Sequence, residues 1–195
     1  DMAQLSAFGG VPDTITGRLT GSGAFTGDGT TIGEVLQHAS GMGQLTVRSG
    51  TLTRLGLVRT VVLFFGRPAP GSGGSSDAFE RIDVSFDLAR RILSASALAL
   101  HSKDLDLVGR GTMHLDGGAL DARVDLSLSE ALSSQAGTDL ARFTREGNRI
   151  VLPAVVSGTT ERPRVNIDAA AATRRGLRNE VQRRLGGILG GLRGP

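Results

Sequence analysis

Apolar and polar residues alternate almost without fault between Phe79 and Leu128. A period of two places successive side chains on opposite faces of a β-strand. The pattern therefore predicts a largely antiparallel sheet with one polar face in water and one apolar face. The apolar face must be covered by helices, by a second sheet or by a ligand. What covers this face decides which functions are open to the protein.

The alternation also predicts which side chains share each face of the sheet. We expect the apolar face to form the floor of a groove that carries Val84, Phe86, Leu88, Leu98, Leu100, Leu105, Leu107, Met113, Leu115, Leu120, Val124 and Leu126. We expect the opposite face to carry Asp83, Asp87, Arg123 and Asp125. A slip of one residue would invert a whole strand, so the assignment holds or fails strand by strand.

Changes in composition along the 195 residues divide one domain into four segments. Residues 1–66 read as a strand, a helix and a returning strand. Residues 67–78 are rich in Gly, Pro and Ser, which is typical of a loop. Residues 79–172 carry the main β-sheet, and residues 173–195 a basic C-terminal helix. The chain starts with neither an initiator methionine nor a signal peptide, which favours a piece of a longer polypeptide or a processed form.

The first segment predicts a short helix between two strands. Thr31 lies three residues before Glu34, the spacing of a capping box. The returning strand is expected to turn at Ser49 and Gly50. The stretch from Leu55 to Phe65 fits either a short helix or a final strand. With the C-terminal helix, the chain is expected to hold two or three short helices.

The C-terminal segment predicts an amphipathic helix. Its apolar residues recur at steps of four, four, three and four, which places them on one stripe: Leu177, Val181, Leu185, Ile188 and Leu192. Arginines, among them Arg174, Arg175 and Arg178, mainly occupy the other faces. Such a helix can cap the open end of the apolar sheet or lie on an anionic membrane. The nearby apolar sheet end favours capping.

Composition excludes several function classes. The chain has no cysteine, which rules out disulfides, cysteine-metal sites and a cysteine nucleophile. It has 7 Phe but no Trp or Tyr, and its net charge is only +3. Single-stranded nucleic acid binders need stacking aromatics beside a basic groove, so no nucleic acid partner is expected. The 29 glycines fit strongly curved strands or a close approach of backbones.

No catalytic constellation is evident. Gly109 and Gly111 lie where the strand pattern continues, which does not fit a phosphate-binding loop. His38, His101 and His114 lack metal-ligand spacing. We therefore expect a protein that is not an enzyme and that uses neither a metal nor a cofactor.

Short motifs follow one another in a fixed order along nearly the whole chain. They are G-x-L-x-G-x-G from Gly17, G-x-L-x-V-x-x-G-x-L from Gly43, F-x-x-I-x-x-x-F from Phe79, L-x-L-x-S from Leu98, G-x-G-T-M-x-L-D from Gly109, L-D-A-R from Leu120 and L-P-x-x-x-S-G-T-x-x-x-P-R-V-x-x-D from Leu152. In this order they resemble the C-terminal region of the AsmA-like family, which includes AsmA-, TamB- and YhdP-type proteins.

The resemblance implies a fold, a function and a location. AsmA-like proteins resemble bridge-like lipid transfer proteins, in which a curved sheet forms an open groove with an apolar concave face. The implied function is movement of phospholipid, or another acyl-chain lipid, between the inner and outer membranes. The implied location is the periplasm, within a protein anchored in the inner membrane. No catalytic residue carries over from this family.

Two other interpretations stay open at this stage. The sheet could close on itself as a sandwich or barrel, in which case its apolar face would be an ordinary core. The domain could instead be a docking module or end cap for outer-membrane assembly that carries no lipid. Contact with a membrane or with an outer-membrane protein is possible under either lipid transfer or docking.

Overall fold

A computed structural model describes residues 15–52, 55–64, 77–134, 144–178 and 181. In these residues the chain forms one antiparallel sheet of nine strands, which is curved and open and does not close into a barrel. The predicted fold class, a mainly β protein built on a curved antiparallel sheet with short helices, is confirmed. The predicted loop at 67–78 falls mostly outside the described residues, and its last two positions already belong to a strand.

The strands follow the chain as a meander with one crossover near the end. They are β1 (Arg18–Thr26), β2 (Ser40–Leu52), β3 (Asp77–Ala89), β4 (Ile92–His101), β5 (Leu105–His114), β6 (Ala119–Leu128), β7 (Arg145–Glu146), β8 (Arg149–Thr159) and β9 (Pro163–Ile167). Strands β1 to β6 pair in sequence order, and β8 pairs with β6. Strands β7 and β9 share the other edge of β8, where they pair with its beginning and with its second half.

In the described parts of the chain, three short helices and one single helical turn connect or follow these strands. They are α1 (Ile32–His38), α2 (Leu57–Phe64), the single turn α3 (Glu130–Ser133) and α4 (residues 169–178). The predicted capping box is present at α1, where the Thr31 hydroxyl accepts from the Glu34 N–H and Glu34 accepts from the Thr31 N–H. The stretch after Leu55, which fitted a helix or a strand, is helical.

The expected turn at Ser49 and Gly50 is wrong, because β2 continues through both residues. Ser49 has φ 53°, a left-handed conformation that kinks the strand without ending its pairing with β3. Val47 pairs with Ile82 before the kink, and Gly50 pairs with Phe79 after it. The kink keeps both pairs buried although they are three residues apart, a spacing at which a regular strand would expose one of them.

The buried core lies between the apolar face and helix α2. Leu57, Val61 and Val62 of α2 belong to one cluster with residues from β2, β3, β4, β5, β6 and β8. A flat sheet would separate β2 from β9 by roughly 29 Å. Helix α2 is only about 12 Å long and begins five residues after β2, yet it contacts β9. The sheet therefore curls around α2, with the apolar face on the inside.

Candidate functional site

The strand register aligns the apolar side chains into rows that cross the sheet. Row 1, nearest α2, contains Leu19, Val47, Ile82, Leu100, Leu107, Leu126 and Leu152. Row 2 contains Gly21, Leu45, Val84, Leu98, Gly109, Val124, Ala154 and Ile167. Row 3 contains Gly23, Gly43, Phe86, Ala95, Gly111, Ala122, Val156 and Val165. Row 4 contains Phe25, Gly41, Leu88, Leu93, Met113, Leu120, Gly158 and Pro163.

A bulge in β4 keeps these rows continuous. The register between β4 and its two neighbours shifts between Ala95 and Leu98, so one extra residue is accommodated there. In a regular strand without the bulge, Leu93 and Ala95 would lie on the opposite face from Leu98 and Leu100. The bulge therefore places all four on the apolar face.

Burial falls from row 1 to row 4. In row 1, Leu126 and Leu152 have no exposed surface, and every member except Leu19 is buried. In row 4, Leu88 is buried, but Phe25 is 52% exposed, and Leu93, Met113 and Leu120 are only partly buried. Helix α2 and the turn α3 cover the row 1 end, since Leu57, Val61 and Leu132 all pack into the core cluster. The apolar face thus continues beyond the part that the described helices cover.

Glycines on the apolar face accommodate the curl of the sheet. A Cβ atom placed on Gly111 would lie 2.3 Å from the Cβ of Ala122, its partner on β6. Directly opposed Cβ atoms in a sheet are usually about 4.5–5.5 Å apart. At Gly109, likewise, a Cβ would lie 2.7 Å from a methyl carbon of Val124. The inside of the curve has no room for two side chains at these pairs, which makes the apolar face the concave one.

A phenylalanine pair lies on the open part of this face. Phe25 of β1 and Phe86 of β3 stack with ring centroids 6.1 Å apart and an interplanar angle of 25°. Between them β2 contributes Gly41 and Gly43, which pair directly with Phe25 and Phe86 respectively. The absence of side chains at these glycines lets the two rings approach across the intervening strand. An exposed aromatic ring on an apolar surface is a feature of ligand and partner sites.

Charged hairpin turns border row 4. Arg90 and Arg91, both at positive φ, form the turn between β3 and β4. Arg91 makes an ion pair with Asp116 of the next turn on this edge. Arg162 lies in the turn between β8 and β9, and both it and Arg90 are exposed. The open edge of the apolar face therefore carries exposed guanidinium groups, which can bind an anion, beside the carboxylates of Asp116 and Glu161.

Eleven of the twelve predicted groove-floor residues share the apolar face and divide into two groups, whereas the prediction is wrong for Leu115, which lies in the turn after β5. Leu100, Leu105, Leu107, Val124 and Leu126 belong to the buried core cluster, with Val84 and Leu98 packed against it. Phe86, Leu88, Met113 and Leu120 lie in rows 3 and 4. Leu115 follows the end of β5 and is 36% exposed, with its N–H bound to the Arg91 carbonyl. Within the second group, Met113 and Leu120 are only partly buried and open to a ligand, whereas Phe86 and Leu88 are buried.

Several open-row residues were not predicted, among them Val156, Val165, Phe25 and Leu93. Phe25 ends the alternating pattern of the Gly-rich first strand, so the alternation alone could have placed it on the apolar face. Leu93 could not be assigned by simple alternation, because the bulge reverses the parity of β4 between Leu93 and Leu98.

The polar face carries Asp83, Asp87, Arg123 and Asp125, as their alternation with row residues requires. The Arg81 guanidinium lies 2.5 Å from a carboxylate oxygen of Asp83, and the Thr46 hydroxyl donates to the same carboxylate at 2.7 Å. The Arg81 hydrogen bonds, followed by that from Thr46, lower the pKa of Asp83 below its usual value. This face is held by ion pairs and has no apolar row.

The two described residues of the predicted C-terminal stripe are not buried, so they do not cap the sheet as expected. Leu177 is 57% exposed and Val181 is 55% exposed. The side of α4 that packs on the protein carries Ala172 and Gly176, both buried. Arg175 joins the helix to Asp125 of the polar face. Leu185, Ile188 and Leu192 lie outside the described residues.

Within the described part of the chain, His, Asp and Glu side chains form no group of three or more that could hold a metal ion. Among the same residues, no helix has the length and apolar character needed to cross a membrane. Comparisons with protein-family models, with curated proteins and with solved structures return no match to this chain. The functional argument therefore depends on the geometry of the apolar face.

Proposed function

We propose that rows 3 and 4 of the concave face bind lipid acyl chains, and that the protein is a lipid-binding and transfer groove of an AsmA-like envelope protein. In this proposal the groove works in the periplasm and moves phospholipid between the inner and outer membranes. An anchor in the inner membrane would come from another part of the parent protein. The observation that carries the proposal is the continuation of the apolar face beyond its cover by α2 and α3.

The chemistry of the open rows suits an acyl chain. Their members are Gly, Ala, Val, Leu, Met, Phe and Pro, which offer no polar side chain to a ligand. A saturated chain needs no directional hydrogen bond, so such a surface can bind it at any position along a row. Burying a methylene group is worth about 0.8 kcal/mol, and a chain of about 16 carbons could gain on the order of 10 kcal/mol.

The shape of the open rows supports the same proposal. Each row crosses eight strands, a path of roughly 34 Å at the usual strand spacing. The path runs across the strands, so an extended chain can lie along it. A headgroup phosphate would remain at the edge of row 4, where Arg90 and Arg162 are exposed to water. The apolar tail and the charged head would thus contact different parts of one surface.

Paired substitutions on opposite faces test this proposal. Met113→Asp places a charge in row 4, and Val108→Asp places the same charge on the polar face of the same strand. A charge in the acyl-chain path must be desolvated or bypassed, so lipid retention should fall in Met113→Asp. Val108 is already exposed, and its replacement should leave lipid retention unchanged.

Lipid extraction and mass spectrometry of the purified proteins give the measurement. A second pair, Phe25→Asp against Met42→Asp, repeats the comparison at β1 and β2, where both parent side chains are more than half exposed. Wild-type lipid content in folded Met113→Asp and Phe25→Asp proteins would overturn the proposal.

A second function is favoured by the asymmetry of the concave face. Because α2 and α3 seal the row 1 end, the protein has the form expected of an end cap, a docking module that carries no lipid. Under this alternative the purified wild-type protein would contain no lipid and would form a stable complex with an outer-membrane assembly protein.

A further inference from the structure

Helix α4 is fixed to the protein along one side. The helix begins after Asp168, whose carboxylate accepts the Ala171 N–H at 2.8 Å. One turn further on, Arg175 donates to Asp125 at 2.7 Å and to Glu146 at 2.5 Å. These hydrogen bonds, chiefly the one to Asp125, raise the pKa of Arg175. Ala172 and Gly176 lie on the same side and are buried.

The opposite side of α4 faces solvent. At about 100° of rotation per residue, Leu177 and Val181 lie about 100° and 140° around the helix from Gly176. Both side chains are more than half exposed. Arg174 and Arg178 are also exposed, and the same rotation places them about 20° and 60° from Val181. The outward side therefore combines aliphatic groups with adjacent guanidinium groups.

We propose that the outward side of α4 docks the protein on an anionic lipid surface. The aliphatic side chains would enter the boundary between headgroups and acyl chains, as in other interfacial amphipathic helices. The stems of Arg174 and Arg178 are long enough to keep their guanidinium groups among the phosphates. The Arg175 contacts hold the helix so that Leu177 and Val181 point away from the sheet.

The positive charge of the C-terminal segment favours an anionic lipid surface over a neutral one. Residues 173–184 contain five arginines and one glutamate. A basic residue near an anionic membrane strengthens binding about five-fold. A neutral lipid surface would gain only the aliphatic contacts, so binding should depend on anionic lipid and should weaken with salt.

The inference adds a membrane contact to the proposed lipid transfer and depends on that function for its biological meaning. Its binding measurement is separate, since the rows that would hold cargo lie on the concave face and Arg175 binds α4 to Asp125 of the polar face. Cargo content and vesicle binding can therefore be measured on the same protein preparations.

Vesicle sedimentation of the full chain gives the test. The vesicles contain either phosphatidylcholine alone or phosphatidylcholine with about a third phosphatidylglycerol. Arg178→Glu changes the charge by two and should weaken binding to the anionic vesicles roughly thirty-fold. Leu177→Asp should weaken binding further, because it also places a charge in the apolar stripe. Both side chains are exposed, so melting temperatures should stay near that of the wild type.

Matched controls lie elsewhere on the surface. Arg48→Glu makes the same change of charge as Arg178→Glu, at an exposed arginine of β2. Leu63→Asp makes the same substitution as Leu177→Asp, at an exposed leucine of α2. Both controls should bind anionic vesicles like the wild type.

Equal binding by all four variants would overturn the proposal, as would equal binding to both vesicle types. Capture of a protein partner by α4 without vesicle binding would also overturn it. Loss of cargo lipid in Met113→Asp together with unchanged vesicle binding in Leu177→Asp would overturn docking while leaving the proposed transfer function intact.

Discussion

Rows 1 and 4 lie on the same concave face and are built from the same strands, yet they differ in what covers them. On β6, Leu126 of row 1 has no exposed surface, whereas Leu120 of row 4 is only partly buried. Six residues separate these two leucines, so both point to the concave face. The difference arises from α2 and α3, which pack at the row 1 end. A shared strand face therefore does not give its side chains a shared role.

Side chains are larger in row 1, which α2 and α3 cover, than in row 3. Row 1 consists of Leu, Val and Ile, whereas row 3 contains three glycines and two alanines. Large side chains in row 1 reach across the concave space to α2. Small ones in row 3 allow the backbones to approach and the sheet to curl. One end of the concave face is thus a protein core, and the other is a curved apolar wall.

The largest effect should come from truncating row 1. Leu126→Ala removes a fully buried side chain and leaves a cavity beneath α2, so it should lower the free energy of unfolding by about 2–5 kcal/mol. Leu120→Ala on the same strand should cost less than about 1 kcal/mol, because part of that side chain is already in water. Chemical denaturation of both variants measures the difference. Equal costs would mean that row 4 is as well packed as row 1.

An intermediate effect should come from filling row 3. Gly111→Ala adds a Cβ that lies 2.3 Å from the Cβ of Ala122 and 2.7 Å from the Asp121 carbonyl oxygen. Overpacking of this kind should cost about 1–3 kcal/mol. Adding Ala122→Gly removes the Cβ–Cβ clash but leaves the carbonyl contact, so the double variant should recover part of the loss. A double-mutant cycle by denaturation measures this coupling. If the two substitutions changed the free energy of unfolding additively, steric crowding between Gly111 and Ala122 would not limit the curvature of the sheet.

Much of the fold could be predicted from alternation alone. The faces of β5 and β6, and of β3 from Ile82 onward, follow directly from a period of two, because these strands pair without a break in register. The irregular positions could not be predicted. The kink at Ser49 and the bulge near Ser96 change the parity of their strands, and neither residue type requires such a change.

The candidate site was only half predictable, for a different physical reason. The concave face was identified, but its cover depends on contacts between distant segments. Helix α2 follows β2 in the chain, yet it shares one core cluster with Leu126 of β6 and Ile150 of β8. Likewise, the amphipathic pattern of α4 did not reveal which side faces the sheet, because Arg175 and Gly176 make that contact in place of leucines.

The smallest effect should come from a pair of helix caps at the two ends of the concave face. Ser129 caps α3 at the row 1 end, where its hydroxyl accepts the Leu132 N–H at 3.3 Å. Thr31 caps α1, which lies between β1 and β2 at the row 4 end. Loss of either cap should cost about 1 kcal/mol locally. Because Leu132 packs into the core cluster, Ser129→Ala should lower the global melting temperature, whereas Thr31→Ala should mainly open α1.

The pH dependence of α1 provides a second measurement of the same cap. Hydrogen bonds from Thr30, its hydroxyl first, and from the Thr31 N–H lower the pKa of Glu34. A carboxyl whose folded pKa is depressed stabilises the fold above its unfolded pKa, near about 4.3 for glutamate. This contribution is lost as the pH falls through the lower, folded pKa. Amide hydrogen exchange should therefore show α1 opening below about pH 4 while the protection of β6 persists. Simultaneous loss of protection in α1 and β6 would show that the row 4 end is as firmly coupled to the core as the row 1 end.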